Sequence, residues 1–138
     1  MENCIFCQII KKELPASIIF EDEQVLAFLE INPLAEGHTL VVPKEHFENI
    51  FDIEEDLLKK IIFVSKKISE KMKEALGTEG VNLVQRSGIV AEQGVFHFHL
   101  HIIPRKKNDN INLENWWRQK TKEISPEKLE EIASKLAI

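Results

Sequence analysis

Between Ile53 and Leu76 the chain reads IEEDLLKKIIFVSKKISEKMKEAL, with Ile53, Leu57, Ile61, Val64, Ile68, Met72 and Leu76 recurring at steps of three and four. That spacing lays one apolar stripe along a helix of roughly six or seven turns, with lysines and glutamates on the other side. Gly77 ends the pattern, and Asp52 with Glu55 three residues on predicts a capped start. A helix this long with one greasy face is stable only against another apolar surface. What the chain offers as that surface sets its fold.

The surface is a set of short β-rich runs. SIIFED and QVLAFLE flank a tight acidic turn at Asp22-Glu23 and predict a hairpin. INPLAEG, broken by Pro33 and Gly37, is a loop; HTLVVP is a third strand, and GVNLVQRS and GVFHFHLHII are two more. CIFCQIIKK predicts a short helix near the start, and SPEKLEEIASKLA one near the end, with Ser125 as cap and Pro126 at its first position. Between them lies a tail carrying ENWWRQ, in which one tryptophan is expected to plug the domain edge. The expectation is an α+β domain over residues 1–110, its five-stranded sheet mainly antiparallel under the long helix, followed by a C-terminal tail and helix over 111–138.

Composition narrows the function. A net charge of −5 argues against general nucleic-acid binding, because a phosphate backbone would be repelled on average. No apolar run approaches the roughly 20 residues of a membrane helix, and MENCIFCQII has no basic lead or cleavage site, so a cytoplasmic protein is expected. With only Cys4 and Cys7, a disulfide framework is out.

Three of the five histidines fall in HFHLHII. On a strand His97, His99 and His101 share a face, roughly 6.6 Å apart from one to the next, with Val95 beside them. Phe96, Phe98, Leu100 and Ile102 turn toward the helix, so the histidines should look into a cleft or solvent. Such a row could be a solvated face, a metal site, or a nucleophilic imidazole with helpers that bind a phosphoryl group.

HFHLHII fits the pattern His-φ-His-φ-His-φ-φ of the histidine triad (HIT) superfamily, and CIFCQIIKKELPASIIFEDEQVLAFLEINPLAEGHTLVVPKEH resembles the N-terminal half of its Hint branch. The likeness runs from residue 4 to residue 105 with the pieces in order. It implies a two-fold dimer with a sheet continuous across the interface, and an enzyme that cleaves the bond to the α-phosphate of a purine nucleotide derivative through a nucleotidyl-histidine. It also implies roles. His99 matches the nucleophile, His101 the histidine that contacts phosphate or leaving group, and His38 a fourth histidine near the nucleophile, with His97 completing the triad. Ile5, Phe6, Ile9, Phe28, Ile31 and Leu40 match a base pocket; Glu30 stands where an aspartate usually holds the ribose. The loop RSGIVAEQGV, with Gln93, Gly94 and Val95, should present backbone N–H groups to phosphate.

Three positions depart from that pattern. Arg86 replaces a usual asparagine, and either offers charge to a phosphate or pairs with Glu92. Glu92 replaces a usual glycine. Gly94 replaces a serine or threonine whose hydroxyl helps the leaving group depart, so a shifted leaving-group preference is expected. Cys4-x-x-Cys7 reads as a redox pair, as two small buried hydrophobes, or as half of a structural zinc site. The resemblance supplies the other half as His46 and His97, and implies no organic cofactor. The competing functions are a dinucleoside polyphosphate hydrolase, a non-catalytic nucleotide-binding module, and a zinc hydrolase using all three triad histidines.

Overall fold

A computed structural model describes residues 3–138. Its α-helices and strands follow in the order α1 (Ile5–Ile10), β1 (Ile18–Glu21), β2 (Val25–Leu29), β3 (Thr39–Pro43), α2 (Glu55–Leu76), β4 (Gly80–Gln85), β5 (Leu100–Arg105), α3 (Leu113–Lys120) and α4 (Pro126–Leu136), with a 3-10 turn (Ile89–Ala91) between β4 and β5. The strands form one fully antiparallel sheet in the order β1-β2-β3-β5-β4. The expected α+β class is what the chain adopts. No described helix is long and apolar enough to cross a membrane.

The β1–β2 hairpin turns where the sequence placed it, because the Asp22 carboxylate accepts the amides of Gln24 and Val25 at 2.8 Å each. The long helix ends at Gly77 in the left-handed region (φ 67°), which a residue without Cβ adopts freely. Its start differs from expectation. Glu54 is the capping position and makes no side-chain cap, whereas Asp52 accepts the amides of Glu48 and Asn49 at 2.9 Å each. Asp52 therefore ties the preceding loop and leaves the helix to begin two residues later.

The sheet has two buried faces. On one, Leu57, Ile61, Val64, Ile68 and Met72 of α2 pack with Val25, Val41, Phe98, Leu100 and Ile102. On the other, α1 lays Phe6, Cys7 and Ile9 over Leu26, Phe28, Leu40 and Val42. Phe96 is exposed, against the expectation that it joins Phe98 under the helix. The final strand is shorter than the sequence suggests: pairing begins at Leu100, so His97 and His99 lie ahead of the ladder, where the Phe98 amide donates to the Phe47 carbonyl at 2.7 Å. The segment around Trp116 and Trp117 forms α3, which the sequence pattern missed. Both tryptophans are exposed, so neither plugs the domain edge.

Candidate active site

The histidine row does not face solvent. His97, His99 and His101 are 0%, 5% and 8% exposed; α1 covers the first two through Phe6, and His101 packs against the rings of His38 and His99. Phe6 stands edge-on to the rings of His97 and His99, with centroids 5.9 and 5.1 Å away. His38, 5% exposed, joins them from the loop before β3.

Obligate donors and acceptors fix the tautomers of the neutral rings. The Leu34 amide donates to His38 Nδ1 at 3.1 Å, so His38 carries its proton on Nε2. That proton is donated to His101 Nδ1 at 2.9 Å. His101 therefore keeps its own proton on Nε2, an atom buried with no hydrogen-bond partner. His99 Nδ1 donates to the carbonyl of His97 at 2.7 Å, which leaves Nε2 with the free lone pair. His97 Nε2 donates to the Pro43 carbonyl at 2.8 Å, so its Nδ1 is bare.

Burial acts in the same direction on all four. It lowers the pKa of His38 and His99 and brings His97 and His101 down to about 4. The Arg86 charge adds to the depression at His38, His99 and His101. At neutral pH the cluster is one nucleophilic lone pair beside one unspent N–H.

The triad histidines are divided between two sites. His97 Nδ1 turns away from His101 and meets Cys4 Sγ at 3.4 Å, Cys7 Sγ at 3.5 Å and His46 Nδ1 at 3.1 Å, while Cys7 Sγ lies 3.4 Å from His46 Nδ1. A tetrahedral zinc with ordinary bond lengths has S···N edges of about 3.6 Å and N···N edges of about 3.3 Å. The four atoms, all within 4.8 Å of one another, fit that cage. The Pro43 carbonyl behind His97 is the outer partner such a ligand ordinarily has. Burial pushes the Cys7 thiol up, with Cys4 adding to it. Both thiols are free and buried, and imidazole nitrogens of His46 and His97 face them. Among the described residues His97 groups with Cys4, Cys7 and His46, and His101 with Glu30 and His38, so the three triad histidines do not converge as one ligand set.

The expected substrate residues divide as well. Phe6, Ile9, Phe28 and Leu40 are buried core, whereas Ile31 is 85% exposed. Ile5, Gly94 and Val95 meet Cys4, His46 and Phe96 around a cavity of about 730 Å³. Glu30 brings a carboxylate oxygen within 4.8 Å of ring nitrogens of His38 and His101, and accepts the Asn32 amide at 3.1 Å. Gln93 is spent inside its loop: its carbonyl accepts the Gly88 amide at 2.8 Å, and its amide donates to the carbonyls of Glu48 and Val95 at 2.6 and 3.0 Å. It braces the loop and does not reach into the site. Glu92 has φ 65°, the left-handed geometry that suits the glycine the resemblance places there. No ion pair joins it to Arg86.

A model of the HIT domain matches residues 11–108. The chain belongs to the HIT family. This HIT protein is 40% identical over 137 residues to Protein hit of Bacillus subtilis, covering 99% of this chain and 93% of that one. It is 38% identical over 138 residues to the adenosine 5′-monophosphoramidase of Schizosaccharomyces pombe, covering 97% and 98%. A crystal structure of a zinc-bound histidine triad family protein from Mycobacterium smegmatis superposes with a TM-score of 0.78 at 36% identity, covering 81% of each chain.

Proposed function

We propose that this HIT protein is a cytoplasmic nucleotide hydrolase or transferase. It cleaves the bond to the α-phosphate of a purine nucleoside 5′-phosphate derivative, of the phosphoramidate or aminoacyl-adenylate type. The observation that carries this is the free Nε2 lone pair of His99 beside the unpartnered Nε2–H of His101. A neutral imidazole with its other nitrogen pinned is an attacking group for phosphorus. His99 Nε2 forms the bond to the α-phosphorus, the leaving group takes the electron pair of the bond it loses (an amine carrying with it a proton taken up from solvent on its nitrogen), and His101 Nε2–H donates to a phosphoryl oxygen. Water then adds hydroxyl to phosphorus and releases its second proton to solvent, while the P–N pair returns to Nε2. Little beyond positioning and charge is needed for such a transfer. The similarity to a phosphoramidase supports the substrate class. Incubation with adenosine 5′-phosphoramidate tests it through AMP release and, in rapidly quenched samples, a nucleotidyl adduct on His99; no release and no adduct would overturn it.

Zinc belongs to the same reading, held by Cys4, Cys7, His46 and His97. When bound it supplies structural charge neutralisation. The four ligands hold α1 on the sheet, and with it Phe6 over His99. A two-fold dimer completes the proposal: β4 is an edge strand of the sheet, and Leu83, Ile62, Phe63 and Val90 expose apolar surface that a second copy would cover. Sedimentation at micromolar concentration tests it, a monomer being the opposing result.

A further inference from the structure

The guanidinium of Arg86 is left without a partner in a place where charge matters. Val84 pairs with His101 and Gln85 with Leu100 across β4 and β5. Cross-strand partners share a face, and the same alternation carried one step past the end of the ladder turns Arg86 to the histidine side, where its charge acts on His38, His99 and His101. Its Nε is buried and makes no hydrogen bond. Among the described residues no carboxylate pairs with it, neither Glu30 nor Glu92. Arg86 as a whole is half-buried, and its one buried N–H is costly to leave unpaired, a need that an anion would meet.

Which anion follows from what the histidines offer. The Leu34–His38–His101 chain leaves each of those two rings with a single proton and no charge. The one unspent imidazole N–H, on His101, is a hydrogen-bond donor and a poor acid. An amine departing from phosphorus needs a proton from somewhere. A phosphate does not: it leaves as a stable anion and needs a cation to receive it.

We propose that Arg86 sets leaving-group specificity, receiving the phosphate that departs from the α-phosphorus and so extending the accepted substrates from phosphoramidates to polyphosphate esters of a nucleoside. The inference rests on the His99 reading above. As His99 Nε2 bonds to the α-phosphorus, the bridging P–O bond breaks, its pair stays on the departing phosphate oxygen, and the added negative charge forms beside Arg86.

The test measures kcat/KM for diadenosine triphosphate and adenosine 5′-phosphoramidate, both of which yield AMP, in wild type, Arg86→Gln and Arg86→Lys. The ratio of the two should fall at least tenfold in Arg86→Gln and recover in part in Arg86→Lys. In the His99→Ala background ADP should bind several-fold tighter than AMP, a margin that Arg86→Gln erases. This binding comparison with Arg86 in place also stands should Arg86→Gln not fold. Equal losses on both substrates, or equal affinity for ADP and AMP, would overturn the proposal. If neither substrate turns over while ADP still outbinds AMP, the hydrolase reading and with it the leaving-group role fail, and Arg86 is left as a contact for the phosphate beyond the α-phosphate.

Discussion

His99 gives its Nδ1 proton to the carbonyl of His97 across 2.7 Å, and His97 turns its own Nδ1 toward Cys4, Cys7 and His46. One residue thus sets the tautomer of His99 with its backbone and joins the Cys4, Cys7 and His46 cluster with its side chain. The two sites share a residue and share a lid, since Phe6 covers both rings.

Replacing His99 by Ala removes the only ring nitrogen with an unspent lone pair on the substrate side. AMP release should fall by about 10³-fold or more, the scale of losing an essential nucleophile, with a stability loss of about 1–3 kcal/mol from the His97 carbonyl left without its donor. Initial rates under saturating substrate check this; a loss below tenfold would mean that another group attacks.

His38→Ala strips the donor from His101 Nδ1. The buried acceptor left behind should cost about 1–3 kcal/mol of stability. Freed to swap tautomers, His101 should lower kcat by about 10²-fold, the lower end for a misplaced acid–base partner. Denaturation and steady-state rates on one preparation read both effects, and a stability loss without any change in kcat would show that His101 takes no part in the reaction.

Metal removal should act on stability first. Zinc at a hundred times its Kd should add about 2.7 kcal/mol, a shift of several degrees in the melting midpoint for a chain of this size. Cys7→Ser should abolish the shift, and elemental analysis should find one zinc per chain in the wild type. A chelator that stops catalysis at once while leaving the midpoint unmoved would contradict the structural role.

Acid should weaken the fold through His101. In the unfolded chain its imidazole takes up a proton near pH 6.5, whereas burial in the folded protein delays that until about pH 4. Between those values the unfolded state holds the extra proton, so stability falls as the pH falls, by at most about 1.4 kcal/mol per unit. Urea denaturation at pH 7, 6 and 5 should show His101→Gln losing less stability than wild type; parallel losses would place the acid sensitivity elsewhere.

At Gly94 a Cβ would meet nothing within 4 Å, so Gly94→Ser should be accepted with a stability change of about 0.5 kcal/mol or less. The hydroxyl it adds should raise turnover of phosphoramidates. Unchanged rates on every substrate would remove Gly94 from the account of leaving-group preference.

Much of this was legible along the chain. The three-four spacing from Ile53 to Leu76 located α2, Asp22 located the hairpin turn, and Gly77 located the helix end, because each depends on neighbours within a few residues. The pattern around HFHLHII was legible as alternation but not as extent. β3 reaches only from Leu100 to Ile102 on β5, so a run that reads as one long strand begins to pair in its second half. Asp52 reads as a helix cap and serves a loop instead, since its carboxylate is taken up by the amides of Glu48 and Asn49.

The sequence by itself determined the fold class, the grouping of the histidines and the ligand types available near Cys4 and Cys7, all of which follow from side-chain period and residue chemistry. Only the tertiary structure decided that the histidines are buried, which nitrogen of each carries the proton, and that Arg86 stands unpaired beside them. Those outcomes depend on α1 folding back over a strand some ninety positions away, and on carbonyls and amides of Leu34, Pro43 and His97 whose positions no local pattern encodes.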